Sequence, residues 1–457
     1  MKIFDLFSQT SYNYQPMKIL FISRDLIAGN LAHLLKKEGH NVKLYISEKK
    51  RRGNFDNLVE KTTNWKKELD WVGKDGLIIF DDVGWGKDQD RLRKKGYFVV
   101  GGSEMADRLE TDREFGQSIF KKYGLKTVPL VNFDNIEDAI TYVRKNKKAW
   151  VIKRNDGMSK FMSYVGKFED GRDIENLLVN YSQNKNVGKG KITLHEKVTG
   201  IEMGVGRYFN GNDWVGPVEI NFEHIKFMPG NIGPATSEMG TVAWYDDNEK
   251  NKLFQETLEK IKPYLKEINF KGDFALNCMV NEDGAYILEA TSRFGSPIVH
   301  LQSEIHGLKW FDFLLAVAKG EKYDLKWKKG YGMVLGMMVP PFPYSKNLKE
   351  SVFCGVNIYF KDFSASDFEH IHFEEVSKKV CEKNKKELGI DCGLYYISDN
   401  RGYILYVTAV ENTLKKTQDK VYQLAKRIII PKVMYRNDIG NNFIKFQEEL
   451  LKKWGYL

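Results

Sequence analysis

Three patterns predict a multidomain chain of mixed α/β and α+β class. Strand and helix signatures alternate over residues 17–100, paired strands follow between Trp150 and Ala290, and the character shifts after Lys322. The first stretch predicts a Rossmann-like domain with parallel strands. Lys18–Ser23 is a short apolar strand, and Leu26–Glu38 carries apolar residues at helical spacing until Gly39 stops it. Val42–Ile46, Gly76–Phe80 and Tyr97–Val100 read as further strands. The G-x-G-x-x-G fingerprint is absent, so no dinucleotide is implied.

Residues 103–123 predict one helix, capped by Ser103 and closed by Gly124. Trp150–Lys153 is an apolar strand, and Lys191–Gly204 a strand pair bent at Gly200. Trp214–Phe222 predicts a strand and Glu249–Leu265 an amphipathic helix. Phe270–Val280 and Ala285–Ala290 predict a hairpin turning at Asn281–Gly284. Beyond Lys322, strands are expected at Tyr331–Val339, Val356–Phe360, Gly393–Ile397 and Tyr403–Thr408. A helix follows over Leu414–Ile429, capped by Asn412 or Thr413, which makes a separate small α+β domain.

A chain of 457 residues, 42% of them hydrophobic, can bury a real core in roughly two to four domains. No apolar run approaches the ~20 residues of a membrane span. The first residues are too short and too polar for a signal peptide. Residues 1–16 are expected to form a loose extension, or Met17 is the true start. Four scattered cysteines without a C-x-x-C pair argue against a zinc knuckle or disulfide framework and fit a reducing cytoplasm. The net charge of +10 is spread along helical faces without a basic stripe or RNA motif. Small anionic substrates are therefore expected as partners, with neither nucleic acid nor membrane.

The segment Tyr286–Gly295 carries the most chemistry. An apolar strand delivers one carboxylate, Glu289, and then turns into a loop with Arg293. A hard oxygen ligand beside a cation suits a nucleotide phosphate with Mg²⁺, and Asn277 on the partner strand can face the same place. Lys153 ends its strand before the loop Arg154–Lys160, where an ammonium and backbone N–H groups could hold phosphates. A surface lysine at a strand edge would give the same local pattern. Glu196 and Glu202 flank Gly200, so one could accept from a ribose while adjacent backbone reads an adenine; two exposed strand residues would look alike. His224, Lys226, Gly233 and Pro234 fall in a polar loop with aromatic flanks that Ser237-Glu238 extends, a composition that suits a substrate cleft or an ordinary connection.

Taken together, these segments resemble the phosphoribosylamine–glycine ligases, a family of the ATP-grasp superfamily, from about Met17 to Gly440. Val151-Ile152-Lys153 is similar to the family's nucleotide-lysine strand, and Glu196 to Glu202 to its E-x-x-x-G-x-E hinge. Leu288-Glu289-Ala290-Thr291-Ser292-Arg293-Phe294-Gly295 resembles its L-E-F-N-x-R-F-G-D. Gly233-Pro234-Ala235-Thr236-Ser237-Glu238-Met239-Gly240 resembles its G-P-N-T-G-G-M-G loop, and Tyr403–Thr408 and Tyr435–Gly440 its C-terminal domain. The resemblance implies a Rossmann-like domain at 17–118 and a two-lobed ATP-grasp domain at 119–322, with lobes of about 119–190 and 191–322. A C-terminal domain follows at 323–457.

The resemblance further implies ATP with Mg²⁺ or Mn²⁺, an amino acid and a phosphorylated amine as substrates, and a monomer or homodimer. It assigns ATP binding to Arg113 (where the family usually has lysine), Lys153, Glu196, Lys197, Val198 and Glu202. The metal falls to Glu289, Thr291 and Asn277, and catalysis to Arg293 and Lys160. Substrate binding falls to Arg24, Asn30, His224, Lys226, Gly233, Pro234, Ser237 and Glu238. The chain departs from the family at the first loop, which is Ser23–Asn30 instead of glycine-rich, at Asp81–Gly86, at Thr291 for Asn, and at Ser237-Glu238 for Gly-Gly. Two further readings stay open: a ligase of this fold with other substrates, and a nucleotide-binding protein without turnover.

Overall fold

A computed structural model describes residues 15–154, 163–184, 191–307, 309–344, 352–380 and 394–457. Lys160 with residues 155–159 of its loop, and residues 1–14 of the extension, lie outside them. Five parallel strands form the N-terminal sheet, in the order Glu60–Thr62, Asn41–Ile46, Lys18–Ser23, Leu77–Phe80, Phe98–Val100. The sheet is covered on both faces, which is why Ile19–Ile22 and Leu77–Phe80 are apolar throughout and buried. The chain leaves the central strand in opposite directions, so a crevice opens where the ends of Lys18–Ser23 and Leu77–Phe80 lie side by side.

The first helix begins at Gly29 rather than Leu26. Ser23 Oγ accepts from the Leu26 N–H at 2.7 Å, and Asp81 Oδ2 accepts from the Ala28 N–H at 3.0 Å. These side chains satisfy the backbone in a non-helical turn, with Leu26 at φ 62°. The single helix expected over 103–123 is two, Glu104–Thr111 and Arg113–Lys122. Asp112 breaks it by leaving helical geometry (φ −107°, ψ 95°) and accepting from the Phe115 N–H, so it ends one helix and caps the next. The break makes Arg113 the first residue of a helix. Ser103 caps as expected, its Oγ accepting from the Ala106 N–H.

A four-stranded antiparallel sheet follows, ordered Leu130–Phe133, Ile192–Glu196, Trp150–Arg154, Tyr164–Val165. Helices Ile136–Lys145 and Arg172–Gln183 pack on it through Ile140, Val143, Trp150, Ile174 and Leu178. Residues 197–200 then lead into a nine-stranded sheet. Its order is Ile371–Phe373, Tyr403–Glu411, Tyr331–Met338, Gly240–Asp246, Trp214–Glu223, Ile201–Asn210, Lys271–Asn281, Gly284–Thr291, Lys126–Thr127. The hairpin of Lys271–Asn281 and Gly284–Thr291 turns where expected, pairing Asn281 with Gly284. The helix expected over 249–265 is two, Lys252–Glu256 and Leu258–Glu267, the first capped by Asn251.

The C-terminal region is not a separate sheet. Tyr331–Met338 pairs with Gly240–Asp246, so the large sheet runs unbroken into Tyr403–Glu411. Without that partner, Gly240–Asp246 would expose an unpaired edge. A second sheet, ordered Val376–Lys378, Tyr395–Ile397, Asn357–Phe360, Ile428–Ile429, stands apart. Helix Leu414–Lys426 is capped by Thr413, whose Oγ1 accepts from the Lys416 N–H.

Candidate active site

Strand register assembles the centre of the site. Asn221, Gly204, Asn277 and Glu289 lie in one row across four neighbouring strands of the large sheet. A Cβ on Gly204 would come within 2.1 Å of Asn221 Oδ1, so only glycine lets that amide lie across the strand. Asn277 donates from Nδ2 to Glu223 Oε1 at 3.2 Å. Thr291, two residues beyond Glu289 on the same face, lines the same cavity of about 220 Å³. Ser237, Glu238 and Arg293 close it on this side. Asp25, Arg51, Glu374 and Arg401 close it on the other.

Charges from three parts of the chain meet here. Burial pulls the Lys153 ammonium below its usual range, and the nearby Arg113 adds to that, while Glu289 and Glu202 oppose it. Burial also pulls Arg113 down, against the pull of Glu289. Glu202 is raised by burial first and by the Glu289 charge second, with Lys153 opposing. Glu223 is pushed up to about 7 by burial and then by Glu202 and Glu289. Lys153 of the small sheet, Arg113 at its helix start and the two large-sheet carboxylates therefore face one space. Arg113 Nε and Nη1 are buried and have no acceptor among the described residues. Buried donors of this kind need a ligand acceptor, and a polyphosphate supplies one.

His195 belongs to this group, although the sequence marked it only as a neighbour of Glu196. Its Nε2 is buried without a partner among the described residues, and its imidazole is held down to about 3 by burial and by Lys153 and Arg113. Glu196 is engaged by the Lys148 ammonium. The N–H groups of Glu196 and Lys197 donate to Pro129 and Ala149 carbonyls, and Val198 lies in the connector beyond them. Arg293 is oriented by Glu110, another residue the sequence did not flag. Its Nε donates to Glu110 Oε1 at 3.1 Å and lies 3.6 Å from Asp82. Ser292 donates to Glu110 from both its N–H and its hydroxyl.

Several expected substrate residues lie elsewhere. Asn30 is 1% exposed; its Oδ1 accepts from the Phe373 N–H at 2.9 Å and its Nδ2 contacts His372 Nδ1 at 3.1 Å. It bolts the first helix to the C-terminal region and does not line the cleft. His224 Nε2 accepts from the Gly440 N–H at 3.0 Å, and burial with Arg436 holds its imidazole down to about 4. The Lys226 carbonyl accepts from Arg436 Nη1. Gly233 and Pro234 sit in a hairpin (Lys226–Met228 with Ile232–Ala235) that Gly230 ties to Asp438. That half of the loop is a strut between sheet and C-terminal region, because Arg436 and Asp438 take its polar groups. Only Ser237 and Glu238 reach the cavity. Arg24 is exposed and does not line it.

At the crevice of the N-terminal sheet, Asp81 is fully buried and pushed up to about 8 by burial and by Asp82. Arg51, 2% exposed, sits among Asp25, Glu374, Glu375 and Asp399 at 3.0–3.3 Å. Among the described residues no three His, Cys, Asp or Glu side chains could hold a metal by themselves. A divalent cation here would have Glu289, with the neutral oxygens of Asn277 and Thr291, and otherwise phosphate and water. The donor set fits a metal that arrives with a nucleotide. No helix among the described residues is long and apolar enough to cross a membrane.

Residues 111–299 match the family model for the ATP-grasp (A) domain of phosphoribosylglycinamide synthetase. A phosphoribosylamine–glycine ligase from Methanocaldococcus jannaschii is 24% identical over 463 residues, covering 96% of this chain and 98% of its own. One from Lactococcus lactis is 24% identical over 405 residues, covering 85% and 87%. Among solved structures, a phosphoribosylamine–glycine ligase from Thermotoga maritima superposes with a TM-score of 0.69 at 18% identity, covering 93% of this chain and all of its own. A biotin carboxylase from Campylobacter jejuni superposes with a TM-score of 0.61 at 12% identity, covering 97% and 98%.

Proposed function

We propose, from the premise that residues 111–299 belong to the phosphoribosylglycinamide synthetase ATP-grasp family, that the chain is an ATP-dependent carbon–nitrogen ligase. It joins phosphoribosylamine and glycine to give glycinamide ribonucleotide in purine biosynthesis. One observation carries the reading. Lys153, Arg113 and Glu202 each interact electrostatically with Glu289, which lines a cavity that reaches Asp25 and Ile27 beside the crevice of the parallel sheet, so a nucleotide and a second substrate can meet there.

In this reading a glycine carboxylate oxygen attacks the γ-phosphorus of ATP, the bond from that phosphorus to the bridging oxygen breaks, and ADP leaves as the acyl phosphate forms. The amine of phosphoribosylamine then attacks the acyl carbon, phosphate departs, and the amine nitrogen gives up a proton. Lys153 and Arg113 hold phosphate oxygens with charge-assisted hydrogen bonds, and Arg293, fixed by Glu110, offers its guanidinium to the charge that develops during transfer. Bound Mg²⁺ would offset phosphate charge, held by Glu289 with Asn277 and Thr291. Glu196, Lys197, Val198 and Glu202 border the nucleoside end, and Lys160 is assigned to catalysis by resemblance alone. The enclosing walls keep water from the acyl phosphate.

The domain limits 17–118, 119–322 and 323–457, a cytoplasmic setting and a monomer or homodimer are part of this proposal. The carboxylates Asp25, Asp82 and Glu374 around the far end of the cleft favour a second reading, the same ligase chemistry on an amine without a phosphate. ADP release from ATP across a panel of amino acids and amines tests both. Turnover that requires glycine and phosphoribosylamine supports the first reading. Turnover with a phosphate-free amine supports the second, and ATP binding without turnover on any pair refutes both.

A further inference from the structure

We propose that Glu238 recognises the ammonium group of the amino-acid substrate, an inference that rests on the ligase reading of the same cleft. Glu238 is 4% exposed, and its Oε1 is buried without a partner among the described residues. It lines the 220 Å³ cavity together with Asn277, Glu289 and Arg293. The backbone on either side is pinned: the Thr236 N–H donates to the Ile225 carbonyl at 2.7 Å, and the Met239 N–H to the His224 carbonyl at 2.9 Å. The Ser237 N–H donates to the Tyr403 hydroxyl at 3.2 Å. The carboxylate is thus held facing the cavity.

Burial first, and then Glu223, Glu219 and Glu202, push the Glu238 carboxyl well above its usual range, and a positive partner in the cavity would favour its charged form. Among the described residues, the cations that line the cavity are committed elsewhere. Arg51 serves four carboxylates, Arg293 serves Glu110, and Arg401 pairs with Asp25 at 2.6 Å. A divalent cation, if bound, would be held by Glu289 and Asn277. The missing donor for Glu238 must therefore come with the substrate. An α-amino acid whose carboxylate points at the transferred phosphate carries an ammonium one carbon away, with three N–H donors. A cavity of 220 Å³ has room for such a small acid. Glu238 also stands where the resembling loop has glycine, so this recognition is a feature of the present chain.

The test compares glycine with glycolate, which replaces the ammonium by a hydroxyl, using ATP and phosphoribosylamine with ADP release as readout. The intact protein should prefer glycine at least about 100-fold in kcat/KM, because glycolate leaves the buried carboxylate without its cation. Glu238→Gln should shrink that preference at least about tenfold while leaving ATP affinity, which also reports folding, unchanged. An unchanged preference in Glu238→Gln overturns the inference. So does a raised Mg²⁺ requirement with unchanged preference, which would assign the oxygen to the metal. If the intact protein releases no ADP with either acid, the ligase reading itself fails and takes the inference with it.

Discussion

Replacing Lys153 with methionine keeps the bulk of the side chain in its strand and removes only the charge. The structure sets the size of the effect. Lys153 sits opposite Thr193 in the small sheet, and burial already disfavours its charged form. A phosphate would restore what burial takes away. A charge-assisted contact in such a place is worth about 1.5–3 kcal/mol, which weakens nucleotide binding roughly 10- to 150-fold. Arg113, with two unpartnered buried donors in the same space, remains, so binding should weaken without vanishing. The Arg113→Met and Lys153→Met pair should be non-additive, because two cations share one polyphosphate. Lys153 is also the cation that opposes the rise at Glu202, so the variant should need a higher pH to ionise that carboxylate. Calorimetric titration with ATP at fixed Mg²⁺ measures the affinity. A Lys153→Met protein that melts like the parent and binds ATP equally well would remove the cleft between the two sheets as the nucleotide site.

Three further outcomes follow from the same geometry. Glu289→Gln should lower turnover on the order of 100-fold while changing ATP affinity less than about tenfold, since the phosphates supply most metal ligands; equal losses in steady-state rate and binding would contradict this. Asn30→Ala strips the Phe373 N–H of its acceptor, so it should cost about 1–3 kcal/mol of stability in denaturant titrations and leave KM values alone; a raised KM without loss of stability would return Asn30 to the substrate site. Asp81 is held up to about 8 in the folded protein by burial, so folding retains a proton that the unfolded chain releases near pH 4. Its stabilisation is full below about pH 4 and is lost progressively as pH rises to about 8, roughly 2 kcal/mol of it between pH 6.5 and 8.5; Asp81→Asn should flatten that slope in urea titrations of the nucleotide-free protein, and an undiminished slope would assign it to other groups.

What the sequence made legible was local. The hairpin that carries Glu289 and Asn277 could be read because its Asn-Glu-Asp-Gly turn sets the register from Asn281–Gly284 back to Cys278–Ile287; the bulge beyond it, which puts Asn277 opposite Glu289 instead of Leu288, was not legible. Lys153 was readable for a similar reason. Asn30 and His224 misled because each carries an expected polar identity at an expected place, yet spends it on backbone 343 and 216 residues away. Glu110 and Arg51 were invisible for the same cause, since nothing near either in sequence announces a partner so distant. The helix break at Asp112 was hidden by a continuous apolar periodicity on both sides, although an aspartate three residues before a free N–H is a cap signal.

The cleft's charge pattern explains why its two ends behave differently. At the end proposed for the nucleotide, Arg113 keeps two donors without acceptors among the described residues, and Lys153 is desolvated. In the proposed reading an anionic ligand would bind there because Glu202 and Glu289 leave the hydrogen-bond donors of Arg113 unclaimed. At the opposite end the cations are spent, with Arg51 surrounded by four carboxylates and Arg401 paired to Asp25. A ligand at that end competes with existing ion pairs and gains little from added negative charge. If the proposal holds, polyphosphate and acceptor would be sorted by which charges the fold has already paired, before any shape is read. The proposal puts the chemistry between the two, at Glu289 and Arg293, where one carboxylate faces solvent and one guanidinium is held in place by Glu110.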